Sequence, residues 1–265
     1  MTVAQADVAR ADTSSPLVVG PGLTAAADRD ELRYRERIER YPAPLEDVPR
    51  FIDGKELPRK LAFALRAAGL RPHGELVELG AGTCWLSAEL AKLPGVRRIR
   101  AVEFSERRIA ELAPIAIAHL GAPAEKIERH VADFYDHGLE PGGADFVFMD
   151  AAFHHAREPE RLARVAWELL RPGGAFVLFR EPTIAALRRG RDHGDEGRHG
   201  TFEREYTAAG YLALLRAAGF DPRRHPAAGG WRSLRTRATL VPPLAWLNGI
   251  LFAEFTYVGR RPPTA

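Results

Sequence analysis

Residues 76–87 read L-V-E-L-G-A-G-T-C-W-L-S: an apolar strand with one acid, two glycines, and the start of a helix. Two glycines in such a turn raise the question of a third. The dinucleotide fingerprint G-x-G-x-x-G needs glycine at position 85 and meets Trp85, and the G-x-G-x-G variant needs it at 84 and meets Cys84. In a dinucleotide fold the third glycine allows close helix–strand packing around a pyrophosphate. A thiol and an indole crowd that approach. The turn is therefore read as built for a ligand without a diphosphate.

Working outward, the chain alternates between two hydrophobic periods. Amphipathic helices are expected over 55–70, 85–93, 105–120 and 159–170, and short apolar strands over 75–80, 97–104, 125–134, 144–150 and 174–179. That rhythm predicts an α/β fold with a doubly wound, mostly parallel sheet. A helix over 207–220 follows, then a strand near 221–225. Residues 251–261 alternate as a last strand, read as pairing antiparallel to its neighbour.

The ends of the chain read differently. Residues 1–28 are rich in Ala, Thr, Ser, Gly and Pro and are expected to be a flexible tail. Residues 29–55 form an N-terminal extension with a helix over 28–41, ended by Pro42 and Pro44, and 56–265 form the main domain. Tyr34, Ile38 and Tyr41 lie on one face of that helix, as a packing stripe or a lid over an acceptor site. The charged, glycine-containing stretch 188–205 is a long loop, either solvated surface or a gate.

Composition narrows the class. A chain of 265 residues, 46% hydrophobic, suits one large α/β domain with an extension. The net charge of +3 shows no basic face that demands nucleic acid. One cysteine excludes an internal disulfide framework and, with a first stretch lacking the apolar core of a signal peptide, suits the cytoplasm. Segment 239–258 is apolar, but Pro242, Pro243, Asn248 and Glu254 argue against a membrane span.

Acids mark the carboxyl ends of the early strands, where ligands bind in open α/β sheets. Glu78 lies in the first strand of the alternation, Glu103 ends the second, Asp133 the third and Asp150 the fourth. Glu103 follows Gly82 by 21 residues (103 minus 82), the spacing of an acid that accepts ribose hydroxyls. So many carboxylates repel a pyrophosphate and favour a sulfonium and an ammonium.

With E-L-G-A-G at 78–82, A-V-E-F at 101–104, A-D-F at 132–134, D-A-A-F-H-H at 150–155 and L-L-R-P-G-G-A-F at 169–176, the chain resembles the Rossmann-like S-adenosylmethionine-dependent methyltransferases. The resemblance spans about 56–185 and implies a seven-stranded sheet with an antiparallel last strand, and S-adenosylmethionine as cofactor. It implies that Glu78, Gly80, Ala81 and Gly82 face the methionyl part and that Glu103 takes the ribose. Phe104 is implied against the adenine, Asp133 at the adenine amino group, and Phe134 and Asp150 in the same cofactor set. The sequence departs from many members at Cys84, where they carry glycine.

His154 and His155 follow the fourth strand, where the resemblance places the acceptor, and either ring could take a proton from a hydroxyl. His155 is favoured as the base, with His154 tying the loop. Neutral histidines serve structural hydrogen bonds equally well. No ligand spacing supports a metal beside them, so none is expected. Cys84 is read as a small apolar wall rather than a nucleophile. Glu181 is read either as pointing into the site or as an exposed cap.

These features favour methyl transfer to an oxygen or nitrogen of a small-molecule acceptor. The absence of proline in D-A-A-F at 150–153 disfavours an amino target in nucleic acid, where related enzymes carry N-P-P-aromatic. An RNA or protein methyltransferase, or an inactive cofactor-binding assembly module, stand as alternatives. A short-chain nicotinamide reductase is excluded: none of Lys55, Lys60, Lys92 or Lys126 has a tyrosine four residues before it. A homo-oligomer is compatible with the sequence.

Overall fold

The structure is a computed structural model and describes residues 15–19, 47–184, 204–227 and 255–263. In chain order these form β1 (Leu17–Val19), α1 (Val48–Gly54), α2 (Leu57–Ala67), β2 (Gly74–Leu79), α3 (Trp85–Ala91), β3 (Val96–Glu103), α4 (Ala113–His119), β4 (Ile127–Val131) and β5 (Ala144–Asp150). Then follow α5 (Pro159–Leu169), β6 (Leu170–Phe179), β7 (Thr183–Ile184), β8 (Tyr206–Thr207), α6 (Ala208–Ala217), β9 (Asp221–Pro226) and β10 (Phe255–Arg260). They fall into two compact units, one within 1–54 and 72–138, the other within 55–71 and 139–265. The 28–41 helix, most of the 188–205 loop and most of the 239–258 segment lie outside the described residues.

In the first unit the strand order is β1-β4-β3-β2, parallel at every pairing. In β2 every residue except Glu75 is buried, the pattern of a strand covered on both faces. Helix α3 is buried at six of its seven positions, only Glu89 reaching solvent, so its apolar surface runs around the whole cylinder. The helix expected over 105–120 forms, but its first half is a π-turn over Arg108–Leu112. Pro114 cannot donate to the Ala110 carbonyl, and the register slips there. Arg129 takes up the slack: its Nη1 donates to the carbonyls of Ile109 at 2.9 Å and Ala110 at 3.3 Å.

Strand β1 was not expected. It lies within the stretch read as a flexible tail and pairs with β4, Leu17 opposite Arg129 and Val19 opposite Val131. Its anchor is again the buried Arg129, whose Nη2 donates to the Ser15 carbonyl at 2.8 Å and whose Nε donates to the Ser15 hydroxyl at 3.1 Å. The Ser15 hydroxyl in turn donates to the Ile127 carbonyl. A three-residue strand held by one distant arginine leaves no periodic signal in the sequence.

The second unit orders its strands β5-β6-β10-β9. β5 and β6 are parallel, and β10 runs antiparallel to both β6 and β9, as expected for the last strand. In α5, Pro159, Leu162, Ala163, Ala166 and Leu169 are buried at helical spacing. The P-G-G turn within β6 has a steric reason. A Cβ on Gly174 would stand 2.9 Å from the carbonyl oxygens of both Arg171 and Asp145. A short parallel ladder pairs β7 with β8, Thr183 opposite Tyr206 and Ile184 opposite Thr207. No helix among the described residues is long and apolar enough to cross a membrane.

Candidate functional site

The glycine turn of the first unit is a run of alternating left-handed residues. Gly80, Gly82 and Cys84 have φ of 71°, 54° and 58°. Cys84 therefore occupies the third glycine position in conformation while departing from it in chemistry. The N–H groups of the turn are engaged within the protein: Ala81 donates to the Val102 carbonyl at 2.9 Å, Gly82 to Glu103 at 2.7 Å and Cys84 to the Ala81 carbonyl at 2.8 Å. A left-handed non-glycine residue costs about 1–2 kcal/mol, so the surrounding packing must hold it. Cys84 is fully buried. Burial pushes its thiol well above the ordinary range, the carboxylates of Glu78 and Glu103 add to that, and Arg129 opposes them. Such a thiol carries no thiolate for attack.

Cys84 stands at the N-cap of α3 and makes no side-chain cap bond. Glu78 does that work from inside β2. Its Oε2 accepts from the Ser87 backbone N–H at 2.9 Å and from the Ser87 hydroxyl. A carboxylate at this end of a helix also meets the positive end of the helix dipole. Glu78 is thus a support of the turn.

Glu103 reaches the turn itself. Its Oε2 accepts from the Gly82 N–H at 2.7 Å and its Oε1 from the Ser105 N–H at 3.0 Å. The side chain is buried, the residue only 3% exposed. An ionised carboxylate has about four acceptor sites, so each oxygen keeps capacity for a hydroxyl beside its backbone donor. A Cβ on Gly82 would meet no atom of the described residues within 4 Å, so that glycine is required for its backbone angle. An acid with spare acceptor capacity beside a glycine turn suits a nucleoside's vicinal hydroxyls.

Asp133 follows β4, and its Oδ1 accepts from the Tyr135 N–H at 2.7 Å, an Asx turn that fixes the loop. Phe134 packs edge-on to Tyr135 with centroids 4.7 Å apart. Phe104 directly follows Glu103 and is half-buried. Glu78, Gly80, Ala81, Gly82, Glu103, Phe104, Asp133 and Phe134 all belong to the first unit.

Asp150, His154 and His155 belong to the second unit. Asp150 is gripped by Arg180, whose Nε donates to Oδ1 at 2.6 Å and whose Nη2 donates to Oδ2. Lys55 lies in their field: burial lowers its ammonium, the Arg180 charge lowers it further, and Asp150 opposes both. Beyond β5 the chain passes through left-handed Ala151, φ 48°, into a single 3-10 turn over Phe153–His155. Phe153 is buried against Phe176 and Tyr211. The His154 and His155 rings pack with centroids 4.0 Å apart, tilted by 40°.

Glu181, left open by the sequence between pointing into the site and capping it from outside, is buried. It is no exposed cap; its side chain has no exposed surface. Its Oε1 accepts from the N–H groups of Ala152 at 3.0 Å and Phe153 at 2.9 Å. Its Oε2 accepts from the His154 N–H at 3.2 Å and meets His154 Nδ1 at 2.8 Å. The only signal for this was an acid two positions past a buried strand, which spacing alone does not direct to a turn 27 residues earlier. Among the described residues, no three His, Cys, Asp or Glu side chains cluster as a metal site.

Residues 77–178 match a family model described as a methyltransferase domain. A chain from the complex of the Haloferax volcanii Trm112 methyltransferase activator superposes with a TM-score of 0.61 at 18% identity, covering 84% of this chain and 98% of that one. Haemonchus contortus phosphoethanolamine N-methyltransferase 2, solved with S-adenosyl-L-methionine, gives a TM-score of 0.56 at 14% identity, covering 87% of this chain and 60% of that one. The [4+2]-cyclase SpnF gives 0.56 at 18% identity, covering 78% and 81%.

Proposed function

We propose that the chain is a Rossmann-like S-adenosylmethionine-dependent methyltransferase, on the strength of the methyltransferase-domain match over 77–178, and that it moves the cofactor's methyl group to an oxygen or nitrogen of a small-molecule acceptor. When bound, the cofactor supplies a methyl group already activated on a sulfonium. The chain's own residues then have three tasks: to hold the cofactor, to align the acceptor, and to take a proton from it.

The observation that carries this reading is the 2.7 Å bond between Gly82 N–H and Glu103. It joins the ribose-type acid to the glycine turn across 21 residues of sequence, with acceptor capacity left on both oxygens. In this reading Glu103 holds the ribose hydroxyls, and the Gly80–Ala81–Gly82 backbone faces the methionyl part with Glu78 bracing it. Phe104 lies against the adenine, and Asp133, with Phe134 beside it, accepts from the adenine amino group. Asp150, gripped by Arg180, is read as a further cofactor residue. A histidine of the 154–155 pair serves as base for a hydroxyl acceptor, worth about 10²–10⁴-fold in rate.

Alignment supplies the rest, with reacting atoms held about 3–3.5 Å apart. The Haemonchus contortus enzyme acts on a small amine and the SpnF chain is named for a cyclisation, so the fold by itself does not choose the acceptor. Two measurements test the reading. Calorimetry should show binding of S-adenosylmethionine and its demethylated product, and none of NAD or NADP. Transfer of a labelled methyl group to a panel of small hydroxyl and amine compounds should then find an acceptor. Tight nicotinamide-cofactor binding without adenosylmethionine binding would overturn it.

A further inference from the structure

The turn after β5 is held by a carboxylate with four donors aimed at it, and three of those donors are backbone. Burying a carboxylate without partners costs several kcal/mol, so Glu181 is stable there only as the acceptor of this set. Burial pushes its carboxyl up. The hydrogen bond and charge of His154, then the Phe153 and Ala152 N–H groups, outweigh burial and hold it below the usual carboxylate range. Glu181 is therefore ionised at neutral pH and has no proton to give. At the 2.8 Å contact between Oε2 and His154 Nδ1, the proton belongs to the imidazole.

That assignment has a chemical consequence for the ring. With Nδ1 carrying the hydrogen, neutral His154 presents its lone pair on Nε2 and nowhere else. The orientation is also fixed. The His154 N–H is bound to the same carboxylate, its carbonyl accepts from the Arg204 N–H at 2.9 Å, and His155 packs on one side of the ring. Both strand ends that meet here carry left-handed non-glycine residues, Ala151 and Arg180, with the Ala151 N–H bonded to the Phe179 carbonyl at 2.8 Å. Strain of this kind persists only where the surroundings over-determine it, and it gathers at functional sites.

We propose that Glu181 is a positioning residue that fixes His154 as the Nδ1–H tautomer, making Nε2 of His154, rather than His155, the proton acceptor for a hydroxyl substrate. This rests on the methyl-transfer reading above. As the acceptor's oxygen bonds to the methyl carbon, the electron pair of the broken carbon–sulfur bond stays on sulfur. The hydroxyl proton passes to Nε2. The resulting imidazolium is stabilised by the Glu181 carboxylate on its far side, an arrangement of base and orienting carboxylate found in other nucleophile-activating sites.

The test uses the full chain labelled with ¹⁵N at histidine. Two-bond ¹H–¹⁵N spectra at neutral pH should show His154, assigned by the loss of its signals in His154→Gln, as the Nδ1–H tautomer. His155→Ala should leave that signature in place, and Glu181→Gln should abolish or mix it. Should Glu181→Gln fail to fold, the wild-type tautomer decides alone. An Nε2–H ring in the wild type, or an unchanged tautomer in folded Glu181→Gln, overturns the proposal. With the acceptor found by the labelled-methyl panel, His154→Gln should lower kcat/KM by about 10²–10⁴-fold and leave the cofactor Kd within twofold. His155→Gln should cost only a few-fold, and the reverse ranking overturns the assignment. A wild-type chain inert toward the whole panel counts against the methyl-transfer reading, while the tautomer spectra still decide for or against the Glu181–His154 pair.

Discussion

Replacing Glu103 by alanine tests the candidate cofactor site at the acid that reaches the glycine turn. The carboxylate accepts the Gly82 and Ser105 N–H groups at 2.7 and 3.0 Å, one on each oxygen. Two effects follow. For binding, a hydrogen bond to a charged group contributes roughly 1.5–3 kcal/mol net, so losing the ribose acid should weaken binding of the demethylated cofactor by about tenfold to a hundredfold. For folding, the two N–H groups lose their acceptor, at a cost of about 1–3 kcal/mol, which lowers Tm by about 2–4 °C per kcal/mol in a domain of this size. The sheet should survive, because β3 is paired on both sides independently of that side chain. Titration calorimetry measures the first effect, and near-ultraviolet circular dichroism during heating measures the second. Glu103→Gln keeps one acceptor oxygen and should fall between alanine and wild type in both. A folded Glu103→Ala chain with a Kd within twofold of wild type would refute the ribose assignment, whatever its Tm.

Cys84 should resist a thiol-disulfide reagent at pH 8 in the native chain and react with one equivalent once unfolded; rapid native reaction would contradict its burial. Arg129→Ala should cost roughly 2–3 kcal/mol, since it strands buried carbonyls of Ile109 and Ser15; amide exchange over Leu17–Val19 should rise, and unchanged protection there would refute the anchoring role. For Glu181 the sign follows from a folded carboxyl held below its unfolded value. The stability difference between wild type and Glu181→Gln should be complete above about pH 4.5 and shrink as pH falls through the lower folded value. Thermal unfolding from pH 7 to 2.5 checks it, and a difference that grows on acidification would refute it.

Most of the alternation is visible without a structure because parallel strands buried on both faces read as continuous apolar runs. A-D-F-V-F-M-D forms β5 over the same seven residues, and the helix read over 159–170 forms over Pro159–Leu169. What escaped reading are elements whose causes lie far off in sequence. β1 depends on a guanidinium more than a hundred residues away, as the 114-residue separation of Ser15 and Arg129 shows. The π-turn depends on Pro114 and Arg129 together: the proline removes a donor, and the arginine supplies a replacement. Neither dependence appears in hydrophobic periodicity.

The candidate site divides along the same line. The acid–glycine relation of Glu103 and Gly82 follows a fixed spacing, because a strand and its return helix take a nearly constant number of residues, and it is legible. The partners of the second-unit acids are not. Asp150 and Arg180 are 30 residues apart and meet because β5 and β6 pair in parallel, with Asp150 opposite Phe179. Glu181 is one residue further, and the left-handed turn at Arg180 sends its side chain inward rather than out as a cap. Two adjacent charged residues thus face different duties because one backbone angle separates them. From sequence, Glu181 is open between pointing into the site and an exposed cap, and nothing marks Arg180. In the fold, one clamps the strand-end aspartate and the other orders the histidine turn, so the tautomer proposed for His154 rests on a residue that no motif contains.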